Sequence, residues 1–303
     1  MEFNLQIFFM LLLAYGTIRA TLFFKKSGNF LYIIVVSIFI LIITNNWALM
    51  YGGSLKDLYD SYSSIVNIVP LLLFLGYIYL ENQKKKISEE KERVRKMFGK
   101  YVSDSIIKEV MKKGKIKIGG ERKEVTILYT DVRGFTDLSE RIPAEEVVKL
   151  LNQHFDVLTK VALKHRGTVD KFIGDAVMVV FGAPISQKDH ALHAVECGVE
   201  MQQKMKELNE KLKNIGEHLY IGVSINSGEA IIGNIGSEKF MDYTAVGDTV
   251  NTASRMQSAA GQGEIVISEA TYSKVKDKIK IGKKDQIKVK GKEKPIVIYK
   301  VKF

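Results

Sequence analysis

Apolar and polar residues are distributed unevenly along this chain, and their pattern divides it into two parts. Apolar side chains dominate the first eighty residues, whereas the remainder alternates between apolar and polar positions as soluble domains do. Three apolar stretches predict about three transmembrane helices within residues 1–80, over residues 3–24, 30–50 and 64–80. A cleavable signal peptide is excluded for the first stretch, because it has neither a basic leading segment nor a small-residue cleavage site.

The basic residues that flank these stretches predict an orientation in the membrane. Lys25 and Lys26 lie in the first loop, and Lys84–Lys86 follow the third stretch, whereas the second loop carries only Lys56. Because basic loops stay on the cytoplasmic side, we expect a multi-pass protein of the cell membrane with its C-terminal part in the cytoplasm. The sequence is also compatible with an unknown regulator or a lipophilic ligand that acts at the membrane region.

Residues 81–118 predict a signalling helix that links the two parts. Glu81–Lys100 is charged and contains no glycine before Gly99, which favours a helix. Four apolar residues recur at seven-residue intervals in and around this segment: Leu80, Ile87, Val94 and Tyr101. This thin heptad seam is typical of a short parallel two-stranded coiled coil, although an ordinary solvated juxtamembrane helix fits the same spacing. If the seam pairs, the chain forms a parallel dimer.

The C-terminal part, residues 119–303, shows the periodicity of a β-α-β-β-α-β arrangement. The predicted elements are a strand at Val125–Tyr129, a helix from about Pro143 to His165, a hairpin around Gly174-Asp175, a helix from about His190 to Leu212, and a second hairpin, Tyr220–Asn226 with Ala230–Ile235, across Ser227-Gly228. We therefore expect an α+β, ferredoxin-like domain with a C-terminal extension of strands, preceded by an α-helical transmembrane region.

Composition narrows the class of function. The net charge is +11 over 303 residues, but the basic residues form no stripe interleaved with aromatics, which argues against nucleic-acid binding. Cys197 is the only cysteine, so no disulfide forms within the chain, and its apolar neighbours predict a small core residue. The five histidines make no metal-ligand cluster in the sequence.

Two aspartates stand at the ends of predicted strands. Asp131 follows the apolar run Val125–Tyr129, and Asp175 lies in the tight turn of the first hairpin. Two carboxylates at adjoining strand ends suit a pair of hard divalent cations, and a glycine-rich turn beside them suits a polyphosphate. Each aspartate taken alone is equally compatible with ordinary turn chemistry.

Three blocks of sequence, in this order, resemble those of a known family: Tyr129–Thr136, Asp170–Asp175 and Val246–Met256. From about Met97 to its C-terminus, the chain resembles the catalytic domain of class III nucleotidyl cyclases, of the bacterial adenylate cyclase type. Lys96–Ser103 is similar to the transducing element that precedes such domains. The membrane part is similar to the one that follows extracellular sensor domains in some of these proteins, although this chain shows no such sensor.

The resemblance implies a role for each matching residue near the phosphates. Asp131, Asp175 and the carbonyl of Val132 match the ligands of two divalent cations, Mg²⁺ or Mn²⁺. Three residues at the start of the next helix would offer backbone N–H groups to phosphate oxygens: Gly134, Phe135 and Thr136.

The last block and the C-terminal tail would supply further contacts. Asn251 would position the ribose, and Arg255, on the same helix face, would stabilise charge at the α-phosphorus. Lys290 matches a lysine that binds the triphosphate, with Lys288 and Lys292 as alternatives in the same lysine-rich tail.

Hydrogen-bond chemistry then predicts the base. Lys171 only donates, which fits adenine N1, and the Thr244 hydroxyl can accept from the adenine amino group. Guanylate-specific members resemble this pattern with a carboxylate in place of Lys171, and many members carry Asp in place of Thr244. A surface pair of Lys171 with Asp170, or a solvent-facing Thr244, are the alternatives. The resemblance thus implies an adenylate cyclase that converts ATP to 3′,5′-cyclic AMP and pyrophosphate.

In this family the metal-binding aspartates come from one subunit, whereas the base-reading and transition-state residues come from the other. The expected assembly is therefore a head-to-tail homodimer with two equivalent sites. A guanylate cyclase and a non-catalytic nucleotide-binding membrane receptor remain the alternative functions.

Overall fold

The structure is a computed structural model that describes residues 76–97, 99, 103, 106–107, 109, 117–212, 218–289, 291–292 and 294–303. The chain divides into two compact units, Met1–Lys96 and Met97–Phe303. A helix, α1, covers residues 76–97, which include most of Glu81–Lys100, the segment expected to be helical. The signalling role of residues 81–118 stays a prediction.

The predicted membrane stretches lie outside the described residues, apart from positions 76–80 of the third. Among the helices that are described, none combines the length and the apolar character needed to cross a membrane. Three members of the predicted heptad seam, Leu80, Ile87 and Val94, lie on α1 with exposed side chains. Tyr101, the fourth, lies outside the described residues.

Between Gly119 and Lys302, the second unit contains eight strands and five α-helices. The strands are β1 (Gly119–Val132), β2 (Thr168–Ile173), β3 (Ala176–Phe181), β4 (Ile221–Gly236), β5 (Met241–Val246), β6 (Ile265–Ser268), β7 (Lys280–Ile287) and β8 (Ile296–Lys302). The helices are α2 (Phe135–Arg141), α3 (Ala144–Lys164), α4 (His190–Leu212), α5 (Asp248–Met256), which a 3₁₀ turn continues, and α6 (Glu269–Val275). This composition confirms the predicted α+β class and the extension of strands beyond β4.

One sheet joins all eight strands, in the order β2-β3-β1-β4-β6-β8-β7, with β5 paired to the far half of β4. In β1, residues Val125–Thr130 are buried; since side chains alternate across a strand, both faces of this part are covered. Leu128 packs among the residues of α3 and α4 on one face, whereas Ile127 packs with Ala245 of β5 and Ala253 of α5 on the other. Burial on both faces explains why β1 reads as a continuous apolar run.

The predicted hairpin around Gly174-Asp175 is confirmed. β2 and β3 pair as antiparallel neighbours up to Ile173 and Ala176, which leaves a two-residue turn. Gly174 has φ +62°, a left-handed conformation that glycine adopts without a steric penalty. The turn therefore holds Asp175 at a fixed place beside the end of β1.

The second predicted hairpin, across Ser227-Gly228, is wrong. β4 continues without a break through both residues and pairs with β1 from Ile221 to Asn234. Gly228 is needed for close packing, since a Cβ built there would lie 2.8 Å from the Thr249 hydroxyl of α5. The chain reverses later, at the turn that joins β4 to β5.

Candidate active site

The two predicted aspartates meet at one edge of the sheet. The pairing of Thr130 with Val177 places the end of β1 beside the β2–β3 turn. There, the Val132 N–H donates to Asp175 Oδ2 at 2.8 Å. Burial raises the pKa of Asp131 to about 6; Arg133 opposes this rise, and the Asp175 carboxylate adds to it. Two carboxylates held this close need a neighbouring positive charge.

Arg133, which sequence reasoning did not single out, supplies part of that charge. Its Nη2 donates to Asp131 Oδ2. Its side chain is 19% exposed and lies against Gly222, where a Cβ would come 3.2 Å from Arg133 Nε. That Nε is buried and makes no hydrogen bond within the described structure. The sequence feature that could have identified Arg133 is its position two residues after Asp131, inside the block Tyr129–Thr136.

His154 is a second residue that sequence reasoning missed. Its ring is buried beneath the β2–β3 turn, and Nε2 lies 3.3 Å from the Asp175 carbonyl oxygen. Burial lowers the pKa of His154 to about 4, so the ring is neutral near pH 7 and donates from Nε2 to that carbonyl. The sequence feature that could have identified His154 is its place between Leu150 and Leu158, on the buried face of α3.

The predicted phosphate-binding residues stand at the beginning of α2. Gly134 precedes the helix with φ +74°, and Phe135 is its first residue, followed by Thr136. The first backbone N–H groups of a helix have no partner within that helix, which suits the predicted contact with phosphate oxygens. That contact stays a prediction.

Lys171 and Thr244, far apart in sequence, lie close together where β2 meets β5. Lys171 Nζ lies 2.7 Å from Asp242 Oδ2 and 4.0 Å from Asp170 Oδ1. The Thr244 hydroxyl donates to Asp170 Oδ2 at 2.5 Å. Asp242 is thus the nearer carboxylate to Lys171, and Thr244 is not a free strand hydroxyl. Burial raises the pKa of Asp170, against the hydrogen bond from Thr244 and the charge of Lys171.

Helix α5 presents Asn251 and Arg255 from the same face, and β4 fixes its position. Ser224 Oγ donates to the Ala253 carbonyl and Asn226 Nδ2 donates to the Thr249 carbonyl, both at 2.8 Å. Asn251 is exposed, and Arg255 is partly buried. Because both anchoring donors are buried, they hold the helix without occupying the face that would meet a substrate.

The turn between β7 and β8 reaches the same face of α5. A Cβ built on Gly291 would lie 3.2 Å from Arg255 Nη1, and Lys292 Nζ donates to Asp248 Oδ2 at 2.5 Å. Lys290 lies outside the described residues. Lys288, which follows the end of β7, is exposed.

The site residues thus fall into separate groups within one chain. Asp131 contacts Arg133, whereas Lys171 and Thr244 contact Asp242 and Asp170. Thr244 pairs with Gly233 of β4, which pairs with Gly120 at the beginning of β1. Lys171 pairs with Met178 of β3, which pairs with Tyr129, two residues before Asp131.

Comparison with known proteins identifies the family. The model of the adenylate and guanylate cyclase catalytic domain matches residues 119–302. Adenylate cyclase 1 of Rhizobium meliloti (strain 1021) is 32% identical over 210 residues, which are 67% of this chain and 31% of that protein. The chain therefore spans about a third of the length of this relative.

Two solved structures have the same fold. The guanylyl cyclase Cya2 is 44% identical, with a TM-score of 0.59 over 61% of this chain and 94% of that one. The adenylyl cyclase CyaB from P. aeruginosa is 45% identical, with a TM-score of 0.59 over 60% of this chain and 95% of that one. The chain belongs to the adenylate and guanylate cyclase catalytic domain family, the class III nucleotidyl cyclases.

Proposed function

We propose that the protein is an adenylate cyclase. The ribose 3′-oxygen of ATP attacks the α-phosphorus, the bond from that phosphorus to the β-phosphate oxygen breaks, and cyclic AMP and pyrophosphate are formed. Overall similarity does not select the base, because the guanylyl and adenylyl cyclases above are 44% and 45% identical to this chain. The proposal is supported by Lys171, which can only donate, and by the Thr244 hydroxyl, whose oxygen can also accept; Lys171 contacts Asp242 of β5, and Thr244 contacts Asp170 of β2.

Asp131, Asp175 and the Val132 carbonyl would hold two divalent cations, Mg²⁺ or Mn²⁺. The donor set fits, since it consists of hard oxygens and the two carboxylates already share one edge of the sheet. No cluster of three or more His, Cys, Asp or Glu occurs among the described residues, so other ligand positions would be left to water and phosphate, as Mg²⁺ commonly requires. Such cations lower the pKa of a bound hydroxyl and neutralise phosphate charge.

The remaining residues bind and orient the nucleotide. Arg255 would stabilise the charge that develops on the α-phosphoryl oxygens, and Asn251 would orient the ribose from the same helix face. The first N–H groups of α2, at Gly134–Thr136, would meet phosphate oxygens, and Lys290 would meet the triphosphate.

We further propose that the active form is a homodimer in the cell membrane, with its catalytic domain in the cytoplasm. The exposed apolar seam of α1 supports pairing, since Leu80, Ile87 and Val94 are 58%, 63% and 47% exposed in a single chain. The apolar stretches and flanking lysines of residues 1–86 support the membrane location. Recovery of the full chain in the soluble fraction after gentle lysis would contradict the membrane location.

The test of the proposed function is a cyclase assay on the purified protein with ATP and GTP, each under Mg²⁺ and under Mn²⁺. Asp175→Ala serves as the inactive control. Higher kcat/KM with ATP supports the proposal, and higher kcat/KM with GTP would make the protein a guanylate cyclase. Nucleotide binding without turnover under either metal would favour a non-catalytic receptor.

Reversing the hydrogen-bond pattern of the base site is expected to move the preference towards GTP. The variant combines Lys171→Glu, which accepts from guanine N1, with Thr244→Asn, whose amide donates to guanine O6. Asp242→Asn is added because the new carboxylate would otherwise face a like charge. We expect the ratio of kcat/KM for ATP to that for GTP to fall by about a hundredfold or more. Asp242→Asn alone is the control, and an unchanged ratio in the triple variant would contradict the assignment of these residues to the base.

Removing Arg133 is expected to tighten metal binding. Arg133 donates to a carboxylate oxygen that a cation would need, so it competes with the cation for Asp131. Arg133→Met should lower the Kd of the nucleotide-free protein for Mn²⁺ by about fivefold, as expected for losing a competing ion pair of about 1 kcal/mol. Titration followed by electron paramagnetic resonance measures free Mn²⁺ directly. Arg122→Met removes a surface ion pair to Glu229 and is the matched control; equal or weaker binding by the Arg133 variant would refute the competition.

A further inference from the structure

Asp170 is a buried acid beside the base-reading pair, and the sequence pattern assigns it no role. Its side chain is 3% exposed. Its Oδ2 accepts the Thr244 hydroxyl at 2.5 Å. Lys171, 4.0 Å from Oδ1, supplies a nearby positive charge. Burial raises the pKa of Asp170, but the Thr244 hydroxyl, the Lys171 charge and the Ala245 backbone all oppose this rise and favour the ionised carboxylate.

An ionised carboxylate accepts hydrogen bonds and cannot donate them. A threonine hydroxyl carries one hydrogen, and here that hydrogen is directed to Asp170. The Thr244 oxygen can therefore only accept a further hydrogen bond; it cannot donate a second one. Without Asp170, the same hydroxyl could rotate and either donate or accept, and it would not distinguish an amino group from a carbonyl.

We infer that Asp170 is a specificity-determining residue that fixes the Thr244 hydroxyl as an acceptor, and that it thereby selects adenine over a 6-oxopurine. Adenine places an amino donor at C6, whereas guanine and hypoxanthine place a carbonyl acceptor there. Two acceptors facing each other leave both unsatisfied, which is costly in a site shielded from water. This inference rests on the proposed function, because it assumes that Lys171 and Thr244 read the base.

The surroundings of Asp170 support this role. Asp170 and Thr244 line one pocket, whose other walls include the apolar side chains of Val180, Ala183 and Ile232. In such surroundings a polar mismatch is less screened than it is in water. Asp242, two residues before Thr244 on β5, lies 2.7 Å from Lys171 Nζ and so ties Lys171 to the strand that carries Thr244.

The test compares ATP with inosine triphosphate, which has the 6-oxo edge of guanine but lacks its 2-amino group. In Asp170→Asn, the new amide can donate to the Thr244 oxygen and release the hydroxyl hydrogen towards a 6-oxo group. The ratio of kcat/KM for ATP to that for inosine triphosphate should fall about tenfold or more. Because both substrates are assayed on one preparation, partial unfolding lowers both values and does not change their ratio.

Two further variants keep the inference testable if Asp170→Asn does not fold. Thr244→Val removes the acceptor and should lower the ratio by a similar factor, whereas Thr244→Ser retains the hydroxyl and should retain the ratio. Adding Asp170→Asn to Thr244→Val should produce no further change, since Asp170 acts through the hydroxyl. Asp156→Asn, at an exposed carboxylate paired with Lys160, is the control for replacing a carboxylate by an amide.

The outcomes separate the two claims. A wild-type enzyme that prefers GTP, or that turns over neither nucleotide, would refute the proposed function. A wild-type enzyme that prefers ATP, with an unchanged ratio in Asp170→Asn, would overturn the role of Asp170 alone. An unchanged ratio in Thr244→Val would overturn it as well, by removing Thr244 from the base site.

Discussion

Asp175→Asn is expected to lower the kcat for cyclic AMP formation at least about a thousandfold, with the protein still folded. The substitution keeps the size of the side chain and retains an oxygen that can accept the Val132 N–H, which the carboxylate accepts at 2.8 Å. It removes the charge that a divalent cation requires. Steady-state rates at saturating ATP and Mn²⁺ measure the loss, and Mn²⁺ titration of the nucleotide-free protein should show weaker binding.

The fold should survive this change because Asp175 lies in a turn and outside the apolar core. Removing one of two neighbouring carboxylates also relieves the repulsion that contributes to the raised pKa of Asp131. We therefore expect the thermal midpoint without metal to be no lower than that of the wild type. Asp137→Asn, at an exposed position on the first turn of α2, is the control. An Asp175→Asn enzyme that retained a tenth or more of its kcat would exclude Asp175 as an essential metal ligand.

The features that sequence predicted well are those determined by local chemistry. The β2–β3 hairpin follows from a Gly174 that adopts a left-handed conformation at the turn itself. The bounds of α3 and α4 follow from apolar periodicity over more than five turns. Gly228 misled the same reasoning, because its purpose is to admit Thr249 from a helix that begins twenty residues later.

In the candidate site, too, sequence predicts the residues marked by local patterns and misses those selected by tertiary contacts. Asp131, Asp175, Lys171 and Arg255 stand in sequence blocks whose residue types and order are enough to mark them. The sequence does not mark the residues that contact these four, because the tertiary fold brings them together. Asp242 lies on a different strand from Lys171, and Asp170 contacts a hydroxyl contributed by β5. Sequence spacing places Asp170 next to Lys171 and suggests a simple ion pair. Only the meeting of β2 and β5 shows that its main partner is Thr244.

Two inactive variants are expected to restore activity when they share one dimer. An Asp131→Ala chain lacks the metal half of its site, and an Arg255→Ala chain lacks the half that stabilises the transition state. If each site takes one half from each chain, a mixed dimer contains one site in which both halves are intact. This prediction fits the separate contacts of the two groups, since Asp131 contacts Arg133 while the Arg255 guanidinium lies against Gly291.

Random pairing of equal amounts gives mixed dimers as half of the population, each with one active site of two, so about a quarter of the wild-type activity should return. The chains would be co-expressed with different tags and purified through both tags, which raises the expected value to about half per dimer. The matched control combines Asp131→Ala with Asp175→Ala, two changes in the same half, and it should remain inactive because every site then lacks one aspartate. Restoration in neither mixture, or equal restoration in both, would refute the shared site. Restoration confined to the first mixture would show that the two halves of a site meet across two chains.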